Sequence, residues 1–177
     1  MGRLAPAKDY PNLLRAFAAV RSQKPETQLW VAGDARGDER KPLDAHAKEL
    51  GIDEAVRWLG LRRDMPALLD AADAFVLSSA WEGMPLAVGE AMAMAKPVVA
   101  TDVGGVRELV GSAGVVVPAK DSRALAEAML ATMQESREAL VACGRAARER
   151  VLRQFSMDAT ADSWLSLYES LLTANDQ

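Results

Sequence analysis

Five short apolar runs recur along this chain: TQLWVAGD (27–34), AVRWLG (55–60), DAFVLSS (73–79), PVVATD (97–102) and GVVVP (114–118). Each is rich in β-branched and apolar residues and bounded by Gly, Pro, Asp or Ser, which marks strands. Most are apolar nearly throughout instead of alternating, the pattern of strands covered on both faces. Helical patterns fill the gaps, over about 11–22, 40–50, 65–72, 85–95, 105–110 and 121–134. In the first of these, Leu13, Leu14, Phe17, Ala18 and Val20 recur near helical spacing. Strands and helices alternating at this rhythm dictate βαβ units, hence an α/β fold with a parallel sheet flanked by helices.

After residue 135 the strands stop. Residues 137–155 and 156–172 read as two closing helices, the second capped by Ser156, while Asp121 is placed to cap the helix before them. Trp164, Leu165, Tyr168, Leu171 and Leu172 form an apolar stripe on the last helix. Two readings of that stripe stand: ordinary core, or a face that docks on a further domain.

The totals narrow the function classes. With 177 residues, 50% hydrophobic and 26% charged, the chain is expected to form one domain, 1–177, with a buried core. A net charge of -4 and 5% aromatics offer neither a basic face nor a stacking platform, so no nucleic acid is expected as a partner. No apolar run approaches the roughly 18 residues of a membrane span, and the start has no signal-peptide core, so no membrane contact is expected. The single cysteine, Cys143, forms no internal disulfide, which fits a reducing compartment and a cytoplasmic location. The opening "GRL" reads as the end of a strand, which leads to the expectation that the chain is a piece of something larger.

One stretch combines apolarity with isolated charge. EGMPLAVGEAMAMAKPVVATDVGG (82–105) keeps two carboxylates, Glu82 and Glu90. In an open parallel sheet ligands bind beyond the carboxyl ends of the strands, and Glu82 falls there, just after 73–79. Pro85 suits a first helical position, so a helix is expected to begin near Met84. Its free N–H groups and positive end suit a phosphate, and Gly83 lets the backbone come close. Glu90 lies about a turn and a half into that helix among apolar neighbours, and a carboxylate there accepts well from vicinal hydroxyls. Glu is equally a good helix former, and spacing alone leaves both readings open.

Other segments carry weaker signals. Lys8 stands near a helix start at Asp9 to Pro11, the wrong end of the dipole for a cation unless an anion lies beside it. Arg62 and Arg63 in GLRRDM (60–65) follow a strand and serve equally as nucleotide contacts or as solvated charges. Neither GDARGDER (33–40) nor DVGG (102–105) is a G-x-G-x-x-G fingerprint. There is no Walker A pattern and no D-x-D for a metal-bound diphosphate, and His46 has no Cys or His near it in sequence. Metal and hydrolase chemistry lose ground accordingly.

Taken together, GRLAPAKD, WVAGD, LGIDEAVRWLG, the block from Ala71 to Val110, GVVVPAKDSRALAEAM and RQFS resemble the C-terminal, donor-binding domain of the group 1 retaining glycosyltransferases. The resemblance spans almost the whole chain, and Glu82 and Glu90 match the E-x7-E signature of that family. It implies one Rossmann-like half of a GT-B fold, whose active site lies in the cleft between two such halves. It also implies a catalytic set of Glu82, Arg3 and Lys8, with Arg3 and Lys8 holding the diphosphate of a UDP-, GDP- or ADP-sugar. Gly83, Met84, Pro85 and Leu86 would meet phosphate and sugar, Glu82 the transferred sugar, Glu90 the ribose, and Leu61 and Arg62 the base. No metal or other cofactor is implied, and transfer would proceed with retention by front-face attack. The partner would be an acceptor-binding N-terminal half, in cis or in trans; alone, the chain would bind donor and transfer little. A non-catalytic nucleotide-sugar module and an epimerase-like domain are the alternatives. Two positions depart from the family pattern: Ala95 replaces a glycine at a helix end that wants positive φ, and Gly89 replaces a larger apolar residue beside Glu90.

Overall fold

The computed structural model describes residues 2–35 and 37–175. Each apolar run forms a strand: β1 (Leu29–Ala32), β2 (Val56–Gly60), β3 (Phe75–Leu77), β4 (Val98–Thr101) and β5 (Val115–Val117). Between and after them lie α1 (Tyr10–Gln23), α2 (Arg40–Glu49), α3 (Met65–Ala71), α4 (Leu86–Ala93), α5 (Val106–Val110), α6 (Ser122–Gln134), α7 (Arg137–Gln154) and α8 (Met157–Asn175). All pairings are parallel, as wholly apolar strands joined by helices require. The strands divide between two sheets, β1–β2 and β3–β4–β5, where the sequence reading expected one.

The strand faces explain the layering. Val76, Val99 and Val117 turn to one side and pack with Leu14 and Phe17 of α1 and Leu125 of α6. Their neighbours Phe75, Leu77, Val98 and Ala100 turn to the other and pack with Val88 and Met92 of α4, Val106 and Val110 of α5 and Ala147 of α7. The period-2 alternation of a strand thus feeds two cores, one on each face of the larger sheet.

Local chemistry sets the helix ends. Asp121 accepts from the Ala124 N–H at 2.9 Å, and Ser156 Oγ from the Ala159 N–H at 3.1 Å, as the sequence led us to expect. Asp9 caps α1 from a left-handed conformation, accepting from Asn12 N at 3.3 Å. Ala95, just past α4, has φ 54°, the conformation that glycine favours at such ends. A Cβ on Gly144 would come within 1.9 Å of the Ala95 carbonyl oxygen, so α7 lies backbone to backbone on this corner.

The last helix resolves the two readings of its stripe. Trp164, Leu165, Tyr168, Leu171 and Leu172 are all exposed, so the stripe is not core in this chain. No helix among the described residues is long and apolar enough to cross a membrane.

Candidate functional site

The segment from Gly2 to Lys8 carries the first cations, and its backbone is fastened at both ends. Gly2 N donates to Ala32 O at 3.0 Å and Leu4 N to Asp34 O at 2.9 Å, beside the carboxyl end of β1. A Cβ on Gly33 would lie 1.6 Å from the Gly2 carbonyl oxygen, so only glycine admits this approach. At the other end, Ala80 N donates to Ala7 O and Ser78 Oγ to Lys8 O, both at 2.8 Å, just beyond β3. Lys8 is therefore delivered to the rim where Glu82 emerges.

These two side chains meet. Lys8 Nζ donates to Glu82 Oε1 at 2.5 Å, and Ser79 Oγ donates to the same oxygen at 2.7 Å. Ser79 is fully buried, and its carbonyl accepts from Thr101 Oγ1 at 2.7 Å, which ties the carboxylate's support to β4. The anion needed beside Lys8 is thus a residue of the chain itself. Glu82 Oε2 accepts no hydrogen bond from the described residues.

The turn after Glu82 is braced from the next loop. Gly105 N donates to Gly83 O at 2.7 Å. A Cβ on Gly104, whose φ is 50°, would lie 2.1 Å from Glu82 O and 2.4 Å from Gly83 O. The DVGG stretch, which matched no dinucleotide fingerprint, thus serves as a buttress. Helix α4 begins at Leu86 with Pro85 as its N-cap, two residues later than the expected start near Met84. Pro85 takes an extended ψ of 91°, which is a capping conformation and not a helical one. No side chain caps this end, so its first N–H groups remain available to an anion.

A cleft of about 460 Å³ opens at this rim, lined by Arg3, Lys8, Leu61, Arg62, Glu82, Met84, Pro85, Leu86 and Glu90 among others. Of the residues singled out in the sequence for this rim, Gly83 and Arg63 are not part of the lining; both are exposed, Gly83 within the turn. The volume is that of a small-ligand site. Sequence reasoning missed Gly2, Gly33, Asp34, Met65 and Ala87, which also line the cleft. The positions of Gly33 and Asp34 at the end of an apolar strand were the signal available for them. Arg62 pairs with Asp64 through bonds of 2.8 and 2.6 Å. The Arg62 hydrogen bond holds the Asp64 carboxyl below its ordinary range. Both groups are exposed, so this pair is readily opened by an incoming ligand. Leu61 is 72% exposed at the cleft mouth, an apolar side chain with nothing over it.

Parallel strands flanked by helices, with a cleft at the strand ends lined by cations, a helix N-terminus and two carboxylates, define a Rossmann-like domain. The family model described as "Glycosyl transferases group 1" matches residues 1–135, and the chain belongs to that family. It is 32% identical over 178 residues to the lipopolysaccharide core biosynthesis mannosyltransferase LpsB of Rhizobium meliloti (strain 1021), covering 97% of this chain and 50% of LpsB. The fold superimposes with a TM-score of 0.85 on Anabaena HepE in complex with UDP, at 27% identity over 96% of this chain and 48% of that one. It also matches the C-terminal domain of the group 1 glycosyl transferase LpcC from Francisella tularensis, with a TM-score of 0.79, 24% identity, and 89% and 84% of the two chains covered. The chain thus has the fold of GT-B C-terminal domains, and spans about half the length of the curated relatives it matches.

Proposed function

We propose that this chain is the donor-binding half of a retaining group 1 glycosyltransferase, holding a UDP-, GDP- or ADP-linked hexose for transfer to an acceptor. The observation that carries the reading is the cleft, where residues from three separate segments converge at the strand ends: Arg3 and Lys8; Leu61 and Arg62; and Glu82, Met84, Pro85, Leu86 and Glu90. In this reading Arg3, Lys8 and the first N–H groups of α4 receive the diphosphate. Glu82, fixed by Lys8 and Ser79, offers Oε2 to the sugar hydroxyls, and Glu90 takes the ribose. Leu61 and Arg62 lie against the base. The UDP bound by HepE and the mannosyl transfer in the name of LpsB support this class of donor. The acceptor half is supplied in cis or in trans, no metal is required, and the chain by itself transfers little.

Calorimetric titration with UDP, GDP and ADP tests the reading and selects the base. Glu90→Ala is expected to weaken the preferred diphosphate at least about tenfold, since hydrogen bonds to a charged group contribute roughly 1.5–3 kcal/mol each. Glu82→Ala is expected to leave the bare diphosphate nearly unchanged and to weaken the nucleotide sugar. Parent-like binding of the diphosphate by Glu90→Ala would remove the ribose role and leave a helix-forming glutamate in its place.

A further inference from the structure

Helices α4 and α5 serve the donor cleft with their front ends and meet α7 with their rear ends. Leu86 and Glu90 of α4 line the cleft, and Gly105, which braces Gly83, stands directly before α5. Burial of Val88, Ala91 and Met92 decides which face of α4 turns inward. Hydrophobic contact is non-directional, so the position of the helix along its axis rests more on hydrogen bonds.

The sequence leaves one such bond to be made from outside. The last carbonyls of a helix need partners beyond it. At the end of α4, Met94 N donates to Glu90 O at 3.1 Å, Lys96 N to Ala91 O at 3.0 Å and Ala95 N to Met92 O at 2.9 Å. The donor next in line for Ala93 O would be residue 97, and Pro97 has no N–H. Arg148 of α7 supplies the bond, its Nη1 donating to Ala93 O. Two residues on, Arg150 Nε donates to Leu109 O at 2.9 Å and Nη2 to Glu108 O at 2.6 Å, at the rear of α5. Glycines make room for this approach. A Cβ on Gly144 would stand 1.9 Å from Ala95 O, and one on Gly111 would stand 2.6 Å from Arg150 Cζ. Each guanidinium also meets a helix C-terminus, where the dipole favours a cation.

We propose that Arg148 and Arg150 are positioning residues of the donor cleft. Arg148 fixes α4 along its axis, and with it the first N–H groups of the helix and Glu90. Arg150 fixes α5, and with it the Gly104–Gly105 buttress behind the Glu82–Gly83 turn. Neither arginine lines the cleft, so both act through the helices they hold. The lever is short: α4 has 8 residues, so its two ends are only about 12 Å apart at roughly 1.5 Å per residue. The proposal rests on the reading of the cleft as a nucleotide-sugar site.

Four variants test it. Arg148→Met and Arg150→Met keep a long stem and lose the donors, and Arg148→Lys keeps the charge and a donor. Arg123→Met controls for net charge, since Arg123 is exposed on α6 and paired with Glu127. UDP, GDP and ADP are titrated by calorimetry at a temperature where circular dichroism shows each variant fully folded. Arg148→Met and Arg150→Met are each expected to weaken diphosphate binding about fivefold or more, since misplacement on the order of 1 Å can cost up to about a hundredfold. Arg148→Lys is expected to recover most of the loss, and Arg123→Met to bind like the parent. Amide exchange gives a reading without ligand. Arg148→Met is expected to speed it in α4, and Arg150→Met at Gly105, by roughly fivefold or more relative to β4. If Arg150→Met does not fold, Arg150→Lys is read in its place. A lowered Tm with parent-like affinity makes the arginines merely structural and overturns the proposal, as does equal weakening by Arg123→Met. If the parent binds none of the three diphosphates, the donor reading falls and exchange alone decides. Unchanged rates in both methionine variants then overturn the positioning role.

Discussion

Gly104 offers the sharpest separation between folding and binding at the cleft. Its φ of 50° costs an L-residue about 1–2 kcal/mol. A Cβ there would stand 2.1 Å from Glu82 O, where ordinary contact begins at 3.4 Å, so the loops must part by about 1 Å. That movement breaks the bond from Gly105 N to Gly83 O, worth roughly 0.5–1.5 kcal/mol more. Gly104→Ala is therefore expected to lose about 2–3 kcal/mol in urea unfolding, and to weaken nucleoside diphosphate binding because the turn before α4 moves. Gly83→Ala is the counterpart. A Cβ on Gly83 meets nothing within 4 Å, so stability is expected to hold within about 0.5 kcal/mol. If the backbone of the turn touches the phosphate, diphosphate affinity falls all the same. A Gly104→Ala protein less than about 1 kcal/mol weaker, with parent-like diphosphate binding, would refute the bracing argument.

Ala95→Gly is expected to gain up to about 1 kcal/mol in the same urea assay, relief of the left-handed strain being partly offset by glycine's greater chain entropy. Lys8→Met is expected to weaken diphosphate binding at least about tenfold by calorimetry, while circular dichroism shows the fold retained, since Ser79 still holds Glu82. Tyr10 is buried, and burial pushes its phenol up to about 12. The unfolded chain releases that proton near pH 10, so stability is expected to fall as pH rises from 10 toward 12, and Tyr10→Phe to flatten that decline in alkaline melts.

The elements were legible because their signals are local. Apolar runs closed by Gly, Pro or Asp gave strands, and Asp121 and Ser156 marked helix starts through side chains acting three residues away. The division into two sheets was not legible, since strand pairing joins residues far apart in sequence. The stripe on α8 failed for a related reason: helical spacing shows that a face is apolar, and nothing in it says whether that face has a partner. At the site, Glu82 was readable from its place after β3. The Lys8–Glu82 bond spans 74 positions and left no trace in any local pattern. The buttress at Gly104 had a visible signal, two adjacent glycines after a strand. Its function depends on a neighbouring loop that only the fold reveals.

The segment from Gly2 to Asp9 joins these observations causally. It extends along β1, crosses the open space between the sheets, bonds beyond β3, and ends by capping α1 through Asp9. One run of eight residues therefore fixes the first helix, both sheet ends and the cation opposite Glu82. Its backbone bonds are few and lie at the rim, where opening is least costly. The placement of Lys8 consequently depends on the bonds at Ala32 and Asp34 on one side and at Ser78 and Ala80 on the other. The Gly2–Asp9 backbone thus couples the packing at the ends of both sheets to the position of the Lys8 ammonium beside Glu82.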